Sequence, residues 1–297
     1  MQHITKFHSV PEGHLAYEIS GEGPAIVFLP GWPFNRHTYR KLIPALEAEF
    51  TCINIDTLGL GESKWENQAD FSIAGHVRHV KSLLSSLKVN HYSLLAFDSG
   101  GAIARALAAE EGDKVLNLIL LNTDIPGKRP PWLPIYRLMF SGTIGRRLLN
   151  LSFVKKYVVP SNLMLGLAFK DMRLVDREFR HLFVNPMLSQ AACFDGLGRY
   201  MRGFDYKEVD LFTRENGVHQ SIRAQVHLIW GEDDTVFPLK DARKMANTLP
   251  TLTGLHAIPD AKLLVHEEQP ERVLAVIRRC LYDRQSIKLP DSQFCLA

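Results

Sequence analysis

The sequence predicts an α/β fold in which a mostly parallel sheet carries helices on both faces and is interrupted by a helical insertion. Short apolar runs alternate with amphipathic stretches over the first half of the chain, the order that a parallel sheet covered by helices requires. This rhythm stops near Asn122 and resumes at residue 225. We therefore predict a core domain made of residues 1–124 and 224–297, and a helical cap domain made of residues 125–223.

The apolar periodicity predicts the individual elements. Apolar runs of strand length predict strands over residues 25–29, 51–55, 92–96, 115–121, 225–230 and 255–258. Helical spacing of apolar or small residues predicts helices over residues 71–87, 100–109 and 269–281. Between residues 124 and 223 the chain opens with four prolines and continues with basic helical patterns, which are typical of a cap that packs over a sheet.

Composition narrows the class of protein. The 297 residues carry a formal charge of only +3, which is too small to indicate a nucleic-acid partner. The four cysteines stand far apart, so we expect reduced thiols and neither disulfides nor a zinc site. Neither a signal peptide nor an apolar run of about 18 residues occurs, so we expect a cytoplasmic protein without a membrane partner.

One segment carries the chemistry, and it reads LLAFDSGGAI. A strand, a tight turn and a helix follow one another here, as in a nucleophile elbow, which needs small residues two positions before and after the reactive one. With Asp98 as the reactive residue those positions hold Ala96 and Gly100. With Ser99 the first of them would hold Phe97, which is too large. The register therefore favours Asp98, and the alternative is that Asp98 only caps the helix.

An aspartate at this position changes the reaction that the elbow supports. A carboxylate with a reference pKa of about 4 is already ionised at neutral pH, and the helix N-terminus favours the charge. It can attack electrophilic carbon, such as that of an epoxide or an alkyl halide, and form an ester with the enzyme. A histidine is then needed to activate the water that hydrolyses this ester.

Several motifs together resemble the epoxide hydrolase and haloalkane dehalogenase branch of the α/β-hydrolases. They are LPGWP at residues 29–33, DTLGLGES at residues 56–63, IWGEDDTVFP at residues 229–238 and IPDAKLLVHEEQPE at residues 258–271. The resemblance implies the α/β-hydrolase fold, with a sheet of the eight-stranded type. It also implies that Asp234 is the acid of the catalytic triad, and that the backbone N–H groups of Trp32 and Ser99 form the oxyanion hole.

Two departures from the family pattern bear on function. Dehalogenases and most epoxide hydrolases carry tryptophan after the nucleophile, where this chain has Ser99. A dehalogenase needs side-chain N–H donors around the leaving halide, and here only Trp32 offers an indole, which argues against dehalogenation. In the histidine loop, Leu263 falls on the histidine position and His266 comes three residues later. Either the loop is remodelled so that His266 acts as the base, or the triad histidine is absent.

Further candidates are an acid and a set of tyrosines. Asp124 follows a predicted strand and is an alternative acid. Tyrosines of the cap donate to the epoxide oxygen in epoxide hydrolases, and the cap tyrosines here are Tyr136, Tyr157, Tyr200 and Tyr206.

Three hypotheses follow from these residues. The first is a hydrolase of an epoxide or a similar electrophile that uses Asp98, Asp234 and His266. The second is a non-hydrolytic cyclase, isomerase or lyase in which Asp98 is a general acid and base. The third is a binding protein that has lost catalysis. All three imply a small apolar ligand, no cofactor and no metal, and none of them sets the oligomeric state.

Overall fold

The computed structural model describes residues 4–130, 132–140, 142–149, 151 and 165–282. A nine-stranded sheet organises this part of the chain. Its strands are β1 (Lys6–Val10), β2 (Gly13–Ser20), β3 (Ala25–Leu29), β4 (Thr51–Ile55), β5 (Lys64–Trp65), β6 (Tyr92–Asp98), β7 (Val115–Thr123), β8 (Gln225–Gly231) and β9 (Leu252–Ile258).

The sheet is parallel over most of its width. The order is β1-β2-β4-β3-β6-β7-β8-β9, and β5 pairs with β2 outside this path. All pairs from β4 to β9 are parallel, whereas the pairs that involve β2 are antiparallel. The predicted α/β-hydrolase architecture is confirmed, with eight strands along the main path of the sheet.

Helices surround this sheet. Those of the first half are α1 (Ile43–Leu46), α2 (Ile73–Ser86) and α3 (Gly100–Glu111). Those between β7 and β8 are α4 (Leu133–Met139), α5 (Gly142–Leu149), α6 (Arg177–Phe179), α7 (Asn185–Ser189), α8 (Ala191–Gly203), α9 (Tyr206–Leu211) and α10 (Val218–Ser221). Those that follow are α11 (Leu239–Ala246), α12 (Val265–Glu268) and α13 (Pro270–Tyr282). None of the described helices is long and apolar enough to cross a bilayer.

Short helical turns complete the described secondary structure. The 3₁₀ turns are Arg36–Tyr39, Gly112–Lys114, Leu165–Leu167 and Met172–Leu174, and a π turn, Arg180–Val184, joins α6 to α7. In the described part of the segment between β7 and β8, all regular structure is helical. This agrees with the predicted character of the insertion, while its boundaries as a cap domain remain a prediction.

The predicted elements occur, with shifts at their ends, and one hairpin was missed. β6 and β7 continue two residues beyond their predicted ends, to Asp98 and Thr123. The antiparallel hairpin of β1 and β2 has no counterpart among the predicted strands. β1 is largely exposed along its length, so it lacks the continuous apolar run that identified the central strands.

Candidate active site

Asp98 ends β6 on a strained turn at the carboxyl edge of the sheet. Its φ is 52°, in the left-handed region that residues with a side chain seldom adopt, whereas Ser99 is helical. The turn lies close to the neighbouring strand, because a side chain at Gly100 would come within 2.5 Å of the Leu29 carbonyl oxygen. This geometry agrees with the register that makes Asp98 the reactive residue of the elbow.

The environment of the Asp98 carboxyl group differs from the one expected. Burial, with a contribution from the charges of Asp124 and Asp234, raises the pKa of Asp98 to about 7, against the opposing hydrogen bond from Ser99. That bond runs from the Ser99 N–H to Asp98 Oδ1 at 2.6 Å. The pKa of about 4 of an unperturbed carboxylate therefore does not apply to Asp98, and the raised pKa agrees with the alternative in which Asp98 is a general acid and base. Neutral and ionised forms of Asp98 are both populated near pH 7.

The two predicted oxyanion donors lie together, but both are engaged, the Ser99 N–H by Asp98 Oδ1 and the Trp32 N–H by the Ser99 side chain. The Trp32 N–H donates to Ser99 Oγ at 3.0 Å. The same hydroxyl group is 3.0 Å from the Tyr200 hydroxyl group, and either can be the donor. Both hydroxyl groups belong to residues that line the cavity at Asp98. They form a hydroxyl pair, Ser99–Tyr200, beside the carboxyl group.

Asp234 lies just past the end of β8 with both carboxylate oxygens engaged. Asn122 Nδ2 donates to Asp234 Oδ2 at 2.6 Å, and the N–H groups of Val236 and Phe237 donate to Oδ1 at 2.7 and 3.0 Å. Burial raises the pKa of Asp234 to about 7, against these hydrogen bonds. Asp234 is held by these bonds behind the cavity, which it does not line, and its charge contributes to the raised pKa of Asp98.

Neither ring nitrogen of His266 bonds to Asp98 or Asp234. Its Nε2 is 2.7 Å from Thr38 Oγ1, and its ring packs against Phe97 and Tyr39 at centroid distances of 4.8 and 5.6 Å. It is fully buried, is not among the residues that line the cavity, and has its pKa lowered to about 3 by burial. The structure therefore does not place His266 in the role of a base beside Asp234.

Leu263 lines the cavity instead, on a loop that is held at both sides. The Lys262 N–H donates to Glu268 Oε2 at 2.7 Å, and the Leu264 N–H donates to the Ala168 carbonyl oxygen at 3.1 Å. These bonds hold the backbone on either side of Leu263. The geometry agrees with the alternative in which Leu263 takes the place of the triad histidine.

Asp124 belongs to a buried ion pair. Arg105 Nη2 donates to Asp124 Oδ2 at 2.6 Å and to its carbonyl oxygen at 2.8 Å, and both side chains are fully buried. Asp124 does not line the cavity at Asp98, so the structure does not place it as an acid facing a substrate. It acts on the site through its charge, which helps to raise the pKa of Asp98.

An apolar cavity of about 130 Å³ opens on Asp98. The sheet part contributes Trp32, Pro33, Phe34, Asp98, Ser99, Val236 and Leu263, and the segment between β7 and β8 contributes the remaining lining residues, among them Trp132, Tyr136, Phe179, Phe183, Tyr200 and Tyr206. Of the tyrosines named from the sequence, Tyr157 lies outside the described residues. The residues on this cavity favour a small, mostly apolar ligand.

The indole N–H groups at the cavity differ from those predicted from the sequence. Trp32 Nε1 donates to the Leu197 carbonyl oxygen at 3.0 Å and is therefore engaged by the chain itself. Trp132, which the sequence argument missed, also lines the cavity, and its buried Nε1 has no hydrogen-bond partner among the described residues. Its position could not be found from spacing, since it lies in the insertion. Among the described residues, the indole N–H open to a ligand in this cavity is that of Trp132 and not that of Trp32, which was expected.

Fold and site define the class of protein. A family model described as the alpha/beta hydrolase fold matches residues 24–270, and the chain belongs to this family. The predicted branch, which includes epoxide hydrolases and haloalkane dehalogenases, is confirmed by the relatives.

Among these relatives is haloalkane dehalogenase 2 of Mycobacterium tuberculosis, which is 26% identical over 268 residues, 89% of this chain and 90% of its own. Among solved structures, the epoxide hydrolase CorEH superposes with a TM-score of 0.75 at 20% identity, over 94% of this chain and 99% of its own. An enol-lactonase of Burkholderia xenovorans superposes with a TM-score of 0.74 at 19% identity, over 94% and 100%. At these identities the two structures show the fold alone.

Proposed function

We propose that the protein is a hydrolase that opens a small, apolar, epoxide-like electrophile, with Asp98 acting as a general base on water and not as a covalent nucleophile. The observation that carries this proposal is Leu263 on the wall of the cavity. A covalent ester on Asp98 needs a second base for its hydrolysis. No histidine stands among the described residues that line this cavity, so the ester would have no imidazole to activate water.

The carboxyl group of Asp98 suits a direct role as a base. A pKa of about 7 lies close to the operating pH, where a general base combines a sufficient ionised fraction with a strong driving force for proton transfer. An aspartate with the ordinary pKa of about 4 would be a weaker base, by about three pKa units. The Ser99 N–H on Oδ1 orients the carboxylate on the strained turn.

The hydroxyl pair Ser99–Tyr200 supplies the acid. Burial raises the pKa of Tyr200, so the phenol stays neutral and available as a donor near pH 7. The water oxygen bonds to carbon as the carbon–oxygen bond of the epoxide breaks, and Asp98 takes the proton from this water. The hydroxyl pair gives a proton to the departing oxygen, and the proton on Asp98 then restores the pair.

A second candidate is a rearrangement of the electrophile without water, with Asp98 as acid and base. The apolar lining favours it, because such walls hold little water near the carboxyl group. It uses the same residues and differs from hydrolysis only in what attacks the carbon. The two are separated by whether a water oxygen enters the product.

The proposal is tested by incubating the protein with styrene oxide, cyclohexene oxide and a panel of haloalkanes, and analysing the products by mass spectrometry. We expect diol from an epoxide, with a loss of at least about a hundredfold in rate for Asp98→Asn, the usual contribution of a general base. The matched control is Asp113→Asn, an exposed aspartate on the far side of α3, which should keep full activity. Isomerised product without diol would favour the rearrangement, and halide release without epoxide turnover would contradict the proposal.

A further inference from the structure

Two histidines and a cysteine meet at the edge of the sheet, outside the cavity at Asp98. They are His227 on β8, His256 on β9 and Cys280 on α13. One ring nitrogen of each histidine and the cysteine sulfur all lie within 4.8 Å of one another. His227 and Cys280 are each only 3% exposed, whereas His256 is partly exposed, so one side of the cluster opens to solvent.

The register of two parallel strands explains why the imidazoles meet. His227 pairs with Gly254, and His256 stands two residues further along β9, on the same face of the sheet. A side chain at Gly254 would put its Cβ 2.9 Å from His256 Nε2, so the ring of His256 lies over the space that the glycine leaves. Helix α13 packs on both strands and brings Cys280 to the same place.

We propose that these three residues form a binding site for a borderline transition-metal ion such as Zn²⁺. Two imidazole nitrogens and a thiolate are ligands that Zn²⁺ prefers, at about 2.0–2.1 Å for nitrogen and about 2.3 Å for sulfur. Ligand atoms within 4.8 Å of one another reach these distances by a small rotation of His256, whose partial exposure leaves it room. The open side leaves the fourth position to water.

One positive charge, on Arg279 of α13, stands close enough to the cluster to act on His256. Arg279 opposes a cation, and the thiolate of Cys280 offsets this charge. The site would join the last strand of the sheet to β8 and to α13, which is a structural role separate from the reaction at Asp98.

Titration of the full chain with Co²⁺ tests the site, because thiolate ligation produces a charge-transfer band in the near ultraviolet. We expect one equivalent of Co²⁺ to produce this band and Zn²⁺ to displace it. Excess Zn²⁺ at about a hundred times its dissociation constant should raise Tm by about 5 °C. Cys280→Ser should abolish the band, and Cys193→Ser, which changes a thiol outside the cluster, should leave it unchanged.

A second variant keeps all three ligands, so it tests the site even if Cys280→Ser fails to fold. Gly254→Ala has ordinary backbone geometry, and its added methyl group meets only the movable end of His256 among its near neighbours. It should fold with an unchanged circular dichroism spectrum and bind Co²⁺ at least tenfold more weakly. A band that persists in Cys280→Ser, or an affinity that Gly254→Ala leaves unchanged, would overturn the proposal.

Discussion

The Asp98 carboxyl group combines a strained backbone with deep burial. A positive φ at a residue with a side chain costs of order 1–3 kcal/mol and persists where the surrounding structure imposes it. Burial also stabilises the neutral acid, so that the group titrates near neutrality. A well-hydrated surface aspartate would have neither property, and together they suit a group that exchanges protons.

The raised pKa of Asp98 makes stability depend on pH. The folded state binds a proton at Asp98 up to about pH 7, whereas the unfolded chain loses it near pH 4. Ionisation of Asp98 therefore destabilises the folded state progressively as the pH rises from about 4 to about 7. Replacement by neutral asparagine should remove this loss.

We expect the difference in unfolding free energy between Asp98→Asn and the wild type to grow in favour of the variant across this window. The increment should be on the order of 3 kcal/mol and should level off above pH 7. Urea unfolding at about pH 4.5, 6 and 7.5 measures this increment. Taking the difference cancels the opposing contributions of buried neutral histidines. A difference that does not vary with pH would show that Asp98 titrates normally.

Trp132 offers a buried donor on the cavity wall, which predicts an acceptor atom in the ligand. Trp132→Phe should raise KM roughly fivefold to tenfold for an epoxide that carries an ether or carbonyl oxygen, and leave a pure hydrocarbon epoxide unaffected, because a hydrogen bond contributes about 1 kcal/mol. Steady-state kinetics with both substrates measures this. Trp65→Phe, outside the cavity, is the control. Equal effects on both substrates would mean that the indole acts by packing alone.

At the scale of elements, the carboxyl ends of β7 and β8 hold the site together through polar side chains. Asn122 donates to Asp234, and its Oδ1 accepts from the Gly231 N–H at 3.0 Å. Next to it, Arg105 of α3 pairs with Asp124. Arg105 also approaches His219, at 3.0 Å between Nη1 and Nε2. These contacts fix helix and strands around the elbow.

Loss of one partner of the buried ion pair should be costly. Arg105→Met leaves the Asp124 carboxylate buried without its counter-charge, and we expect a loss of about 3–5 kcal/mol in unfolding free energy. The double variant with Asp124→Asn should recover part of this loss, since no unpaired charge remains. Arg223→Met removes an exposed pair with Asp113 and should cost less than about 1 kcal/mol. Urea unfolding compares them, and equal losses for both arginines would contradict the argument.

The elements of the core and the elbow could be predicted from sequence because they depend on local patterns. Central strands are buried on both faces and read as apolar runs, and the elbow needs small residues at fixed offsets. Spacing along the chain could not indicate that Trp132 reaches the cavity, that Cys280 meets two histidines, or that Asn122 bonds to Asp234. These contacts join segments that are distant in sequence. How far burial raises the pKa of Asp98 could not be predicted for the same reason, since residues of the insertion line the cavity at Asp98.

For the whole molecule, the cavity depends on the sheet and the insertion together. The sheet part supplies Asp98 and Leu263, and the segment between β7 and β8 supplies most of the apolar wall and the Tyr200 hydroxyl group. We propose that residues 125–223 act as the predicted cap, which sets the substrate, while residues 1–124 and 224–297 form the core that carries out the reaction. With this division, the sequence predicts the type of reaction better than it predicts the substrate.

A single-turnover experiment in water enriched in oxygen-18 tests the central claim that Asp98 activates water directly. With enzyme in excess over styrene oxide, we predict that the diol of the first turnover carries the label. Intact-mass analysis should find no ester, and the peptide that contains Asp98 should stay unlabelled. Unlabelled diol from the first turnover, together with label in Asp98 after many turnovers, would show a covalent ester and contradict the account.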